Sequence, residues 1–169
     1  MNPKCLFLIA SLFIFSAGAS ADTVGQDGIL RDAHGKSLEM TRAKALKACA
    51  KHGMHLATIR ELVKLRQSEG ITLKEPTEVK QGEIRTGAMK PVLAVNPNGK
   101  TDEFYYDNDN YTRHGDDLGS HWFWSSSAVS DKTDMGYLLY GVSGEVSSGD
   151  YRDLGYTFIS AAVFCVVGQ

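Results

Sequence analysis

Cysteine is scarce in this chain. Three occur in 169 residues, Cys5, Cys49 and Cys165, too few and too widely spaced for a zinc cluster, which needs more ligands closer together. No run of lysine or arginine stands out either. The 18 basic and 20 acidic side chains are mixed along the chain, for a formal net charge of −2. That balance speaks against nucleic acid or an anionic membrane as partner, since both call for a basic patch. After the first 21 residues no stretch approaches the roughly 20 apolar residues of a spanning helix. Internal repeats and low-complexity tracts are absent, which excludes solenoids and linker-rich arrays.

What is there begins with "MNPKCLFLIASLFIFSAGASA". A short n-region with Lys4, an apolar core from Cys5 to Phe15 and the small-x-small triplet Ala19-Ser20-Ala21 make residues 1–21 a secretory signal peptide. The expected product is a single mature domain, residues 22–169, exported to the periplasm or beyond a bacterial cell. Cys5 lacks the small-residue context of a lipid-attachment site and leaves with the signal. Two cysteines then remain in an oxidising compartment, which favours one disulfide over a metal site or a catalytic thiol.

Residues 22–36 read as a polar, glycine-punctuated N-terminal arm with one short strand around Ile29-Leu30. From Thr41 to His52, Ala45, Leu46, Cys49 and Ala50 recur at helical spacing, while Arg42, Lys44, Lys47 and Lys51 take the other face; Thr41 is placed to cap the start and Gly53 the end. A connector with Leu56 turned inward follows. Thr58-Ile59-Arg60-Glu61 is a capping box that opens a second helix, stopped at Gly70. Beyond Gly70 the helical signals cease. "PVLAVNPNGKTDEFYY" is two extended runs about Asn98-Gly99, a hairpin signal. Residues 107–120 form a long polar loop, and "HWFWSSS", "GYLLYGV" and "AAVFCVV" are further strands, with a turn at Ser143-Gly144-Glu145. Helices first and an antiparallel sheet afterwards predict an α+β domain.

The order of a cysteine-bearing helix, Gly53, the Leu56-Ala57-Thr58-Ile59 connector, a capped second helix, a "WFWSSS" strand and a last strand ending Phe164-Cys165-Val166 resembles the C-type-lectin-like fold, most closely its bacterial secreted branch. The resemblance covers about residues 41–167. It implies two helices followed by a twisted antiparallel sheet with long loops, and a bridge from Cys49 on the first helix to Cys165 on the last strand. It does not carry over the calcium-dependent sugar site: Glu75-Pro76-Thr77 is the one near match to the family's tripeptide, and no Trp-Asn-Asp completes it. Formylglycine-generating enzymes share a related fold, but their reactive cysteine pair is better explained here as a structural bridge.

The loop "YYDNDNYTRHGDDLGSHWFW" concentrates oxygen ligands and aromatic rings. Asp107, Asp109, Asp116 and Asp117 are the residues to hold calcium, a cation that takes six to eight hard oxygens; EF-hand spacing fails at Tyr111, and a solvated loop capped by its own Asp and Asn side chains is the plainer reading. His114 and His121 beside those aspartates would also suit zinc. No cofactor is required. Tyr105, Tyr106, Asp109, Asn110, Tyr111 and His114, with Trp122 and Trp124 on the adjoining strand, are expected to form the ligand surface, because aromatic faces stack on sugar rings while amides and carboxylates bond hydroxyls. Period-two alternation puts Trp122 and Trp124 on one strand face, which a core would also claim; the tyrosines and loop acids are expected exposed.

Ser125 to Ser127, His121 and Asp116 assemble on paper into a hydrolytic triad, but nothing around them resembles a nucleophile elbow, and serines after a tryptophan strand suit exposed strand or turn positions. His52 and His55 beside a helix C-terminus are assigned structural roles. The sequence therefore predicts a non-catalytic binding module for a glycan or cell-envelope surface. A protein–protein module of an envelope or adhesive assembly stands second and an envelope hydrolase third.

Overall fold

The computed structural model describes residues 22–112, 118–130, 132–149 and 160–168, without the side chains of 132–134 and 149. The expected signal peptide, residues 1–21, and the expected site residues His114, Asp116 and Asp117 lie outside the described residues. The fold is α+β. In chain order its elements are β1 (Thr23–Val24), β2 (Leu30–Arg31), β3 (Glu39–Met40), α1 (Arg42–Lys51), β4 (Met54–Leu56), α2 (Ile59–Leu65), β5 (Thr72–Lys74), α3 (Gln81–Arg85), β6 (Lys90–Val95), β7 (Thr101–Asp107), β8 (Trp122–Val129), β9 (Lys132–Tyr140), β10 (Val146–Gly149), β11 (Ala161–Val163) and β12 (Cys165–Val167).

Both expected helices form. Thr41 occupies the N-cap of α1, yet its side chain makes no capping bond, a correction to the expectation; only its carbonyl accepts, from Lys44 and Ala45. At α2 the capping box is complete, Glu61 N donating to Thr58 Oγ1 at 3.2 Å and Thr58 N to Glu61 Oε2 at 2.7 Å. Short strands precede α1, and a one-turn 3-10 helix (Pro76–Glu78) and α3 follow Gly70, so helical structure does not end where the periodicity does. Gly70 is fixed by contact as well as by its φ of 108°: a Cβ there would run into the backbone of Asn110 and Tyr111.

The sheet is mixed. β10, β9, β8, β6, β7 and β5 lie side by side with every neighbouring pair antiparallel, whereas β11 joins β8 in parallel and β3 antiparallel, so the fully antiparallel sheet expected from the sequence is corrected at one pair. β12 pairs with β4. β8 and β9 are covered on both faces. Phe123 and Leu139 pack with Ile59, Leu62 and Val63 of the α2 side, while Trp124 and Leu138 pack with Ala45, Ala48 and Cys49 of α1. A strand buried on two faces reads as a continuous run rather than an alternation, which accounts for "WFWSSSA".

Cys49 and Cys165 form the disulfide, with Cα atoms 5.4 Å apart and 116 residues of separation. It joins α1 to β12 inside the core, both cysteines being buried. Closing so long a loop contributes about 4–5 kcal/mol by restricting the unfolded chain.

The edge of β8 away from β9 is divided. β11 pairs at Phe123 and Trp124, and β6 pairs at Ala128 and Val129. Between them, at the three serines, the connector before α2 fills the gap. Ser126 N donates to Ala57 O at 2.7 Å, and Ile59 N donates to Ser127 Oγ at 3.0 Å. Ser127 Oγ in turn donates to Asn96 Oδ1 at 3.0 Å, and Ser125 Oγ donates to Tyr137 O at 2.8 Å. The hydroxyls of Ser125 and Ser127 thus satisfy backbone groups that strand pairing leaves open. All three serines are buried, which corrects their assignment to exposed positions.

Candidate functional site

The polar loop after β7 does not stand away from the domain. Asn108 Nδ2 donates to Ser143 O at 3.0 Å, Tyr111 Oη donates to Gly141 O at 2.8 Å, and Thr112 N donates to Glu69 O at 2.7 Å. These bonds fasten its first half to the turn between β9 and β10 and to the end of the α2 region. Gly141 N donates to His121 O at 2.9 Å, so the same turn is tied to the start of β8. The result is a braced end of the sheet.

At that end Trp122 and Tyr140 are register partners across β8 and β9. Their rings stack with centroids 4.8 Å apart and planes inclined by 26°. Both are half-buried, whereas Trp124, two residues on, is buried under α1. Offset-stacked rings hold one another in place and offer a rigid apolar ledge at low entropic cost. Immediately before Trp122, His121 Nδ1 meets Glu39 Oε1 of β3 at 2.9 Å, with 38% and 48% of the two side chains exposed. Register puts that pair on the other face of the sheet from the ledge: Glu39, Ala162 and Phe123 are partners on the side that packs with α2, whereas Trp122 packs with the α1 side.

The expected ligand residues divide. Tyr106 is buried, its hydroxyl donating to Val146 O at 3.2 Å, and burial pushes its pKa up to about 12. Trp124 is buried with Nε1 donating to Met40 O at 2.8 Å. Neither ring faces solvent, so the expected exposure of Tyr106 is corrected. Tyr105 is half-buried on β7, Asp109 and Asn110 are exposed, and Tyr111 is half-buried with its hydroxyl engaged. Trp122 is the one expected aromatic that joins the ledge. Neither Tyr140 nor Glu39 stands out in the sequence; the meeting of Tyr140 with Trp122 depends on strand register, and that of Glu39 with His121 on β3 reaching this end of the sheet, neither of which a local pattern encodes.

Of the expected calcium ligands, Asp107 accepts the backbone N–H of Asp109 at 2.9 Å, which is a self-capping turn rather than a convergent ligand set. Among the described residues no group of three or more His, Cys, Asp or Glu converges. The serines do not meet His121, which precedes Ser125 by four residues, roughly 13 Å along an extended strand, and the hydroxyls of Ser125 and Ser127 are occupied by the bonds above. His55 Nε2 lies 3.1 Å from Glu61 Oε1 and His52 Nε2 3.9 Å from Asp22, in keeping with structural roles. Among the described residues no helix is long and apolar enough to cross a membrane.

Compared with protein-family models, with curated proteins and with solved structures, the chain matches none of them.

Proposed function

We propose that this chain is an exported, non-catalytic binding module of C-type-lectin-like build that recognises a glycan of a cell-envelope surface. The observation that carries the reading is the partly exposed Trp122–Tyr140 stack at the braced end of the sheet. A sugar ring lays its C–H face on such a ledge while its hydroxyls take hydrogen bonds from the rim. The C-type-lectin-like part draws support from the bridge between the first α-helix and the last strand, where the resemblance puts it. Asp109 and Asn110 are the exposed loop residues that extend the surface, and calcium is an optional ligand of that loop.

A protein partner is the second reading. It is favoured by a groove of about 450 Å³ in which Met54, Leu65, Phe164, Val166 and Val167 present apolar surface, Val167 being 67% exposed. Binding of the purified protein to an array of glycans and envelope fragments, with calcium and then with chelator, separates the two. Retention on a defined glycan class supports the first reading. Silence on every glycan, with capture by an envelope protein, replaces it with the second.

A further inference from the structure

Arg42 leaves the first turn of α1 and runs half-buried across β9 toward β8. Its stem passes over Gly136, where a Cβ would lie 2.6 Å from Cδ and 2.9 Å from Nε, so its path exists because residue 136 has no side chain. Nε donates to Ser125 O at 2.9 Å, and Nη2 donates to Ser126 O. Both acceptors are neutral. Among the described residues no carboxylate pairs with Arg42 and its Nη1 makes no hydrogen bond; burial alone acts on the guanidinium, pulling its pKa below the ordinary value. A partly desolvated guanidinium is normally matched by an acid, whose planar carboxylate fits its fork of donors.

The space beside it is a cleft of about 350 Å³ whose lining includes Arg42, Leu46, Val95, Asn96, Pro97 and Ser126. Ser126 is 2% exposed, and its Oγ is buried with no hydrogen-bond partner. Buried hydroxyls without partners are uncommon in folded proteins, and each one asks for an acceptor. Its neighbours on both sides are satisfied, so the orphan is confined to the one serine of the three that lines the cleft. Guanidinium and hydroxyl are both donors, and Leu46, Val95 and Pro97 give the cleft apolar walls. A neutral sugar would leave the charge unmatched.

We infer that this cleft binds a small aliphatic carboxylic acid, its carboxylate taking Nη1 of Arg42 and the hydroxyl of Ser126 and its alkyl portion lying along Leu46, Val95 and Pro97. The site is separate from the Trp122 ledge, four residues away along β8 or roughly 13 Å. The volume is at the small end of ligand pockets, which suits a short acid rather than a polymer.

The test is an NMR titration of the isotope-labelled protein with hexanoate, and with hexanamide as the uncharged comparator. Hexanoate is expected to shift the Arg42 side-chain Nε–H and the backbone amides of Ser126 and Ala128, with hexanamide weaker by about tenfold or more, as loss of a charge-assisted bond requires. Ser126→Ala is expected to keep the fold and weaken hexanoate about three- to tenfold, and Arg42→Gln to abolish its binding. Should Arg42→Gln fail to fold, the acid–amide comparison on the unaltered protein and the Ser126→Ala variant still decide. Equal binding of acid and amide, or no response at Arg42 and Ser126 with hexanoate in the tens of millimolar, overturns the inference.

Discussion

Arg42 Nε lies 2.9 Å from the carbonyl oxygen of Ser125, across 83 residues of chain, where the β8–β9 pairing shifts register between Trp124 and Ala128. The contact closes a gap in the sheet that backbone pairing leaves open, and it couples α1 to the β8–β9 pair through the missing side chain of Gly136. Gly136→Ala is expected to cost about 1–2 kcal/mol by overpacking. The same change made in an Arg42→Ala background is expected to cost less, because the obstructed stem is gone. Urea unfolding of the four proteins of this cycle measures the coupling.

The serine triplet makes an internally controlled pair. Ser127→Ala removes the acceptor of the buried Ile59 N–H and the donor to Asn96, so a loss of about 1–3 kcal/mol is expected for the group left unpaired. Ser126→Ala removes a hydroxyl that has no partner, and its stability is expected to match the parent or exceed it slightly. Equal losses at both positions in chemical denaturation would contradict the bonding described for this strand.

Replacing both Cys49 and Cys165 by serine is expected to remove about 4–5 kcal/mol or more, the loop-closure entropy over a separation of 116 residues. Denaturation with and without reductant checks it: the parent is expected to lose the stability on reduction, the variant to be indifferent to reductant.

Acid sensitivity follows from the α2 cap. Burial raises the Glu61 pKa, but bonds from the Thr58 N–H and hydroxyl and from His55 outweigh it and hold the carboxyl below its ordinary 4.5. The unfolded state then binds the proton more readily, so the contribution is complete above about pH 4.5 and is lost as pH falls through the lower folded value. Glu61→Gln is expected to show a shallower fall in stability than the parent from about pH 5 to pH 3, measured as urea midpoints, the difference isolating this one carboxyl from the others.

Much of this architecture was legible along the chain. The 3.6-residue spacing of Ala45 and Cys49, the Thr58–Glu61 box and the Asn98-Gly99 turn located α1, α2 and the β6–β7 hairpin, because each is a local device. Burial of Tyr106 was also written in the sequence: Phe104 and Tyr106 are two apart on one strand face, and both are core. α3 was missed because "QGEIR" is one turn held by its termini rather than by an apolar stripe. The parallel β8–β11 pair, the Trp122–Tyr140 stack and the His121–Glu39 contact depend on partner choice between distant strands. Arg42 read as part of an exposed basic face of α1, since no local pattern shows that Gly136 opens a path for it.

Recognition at the Trp122–Tyr140 ledge is tested by calorimetric titration of the array-selected glycan into the parent protein and Trp122→Ala, with folding of each checked by its denaturation midpoint. Loss of about 2 kcal/mol or more is expected for a folded Trp122→Ala protein, the scale of a removed aromatic anchor. Undiminished glycan binding by a folded Trp122→Ala protein would contradict it.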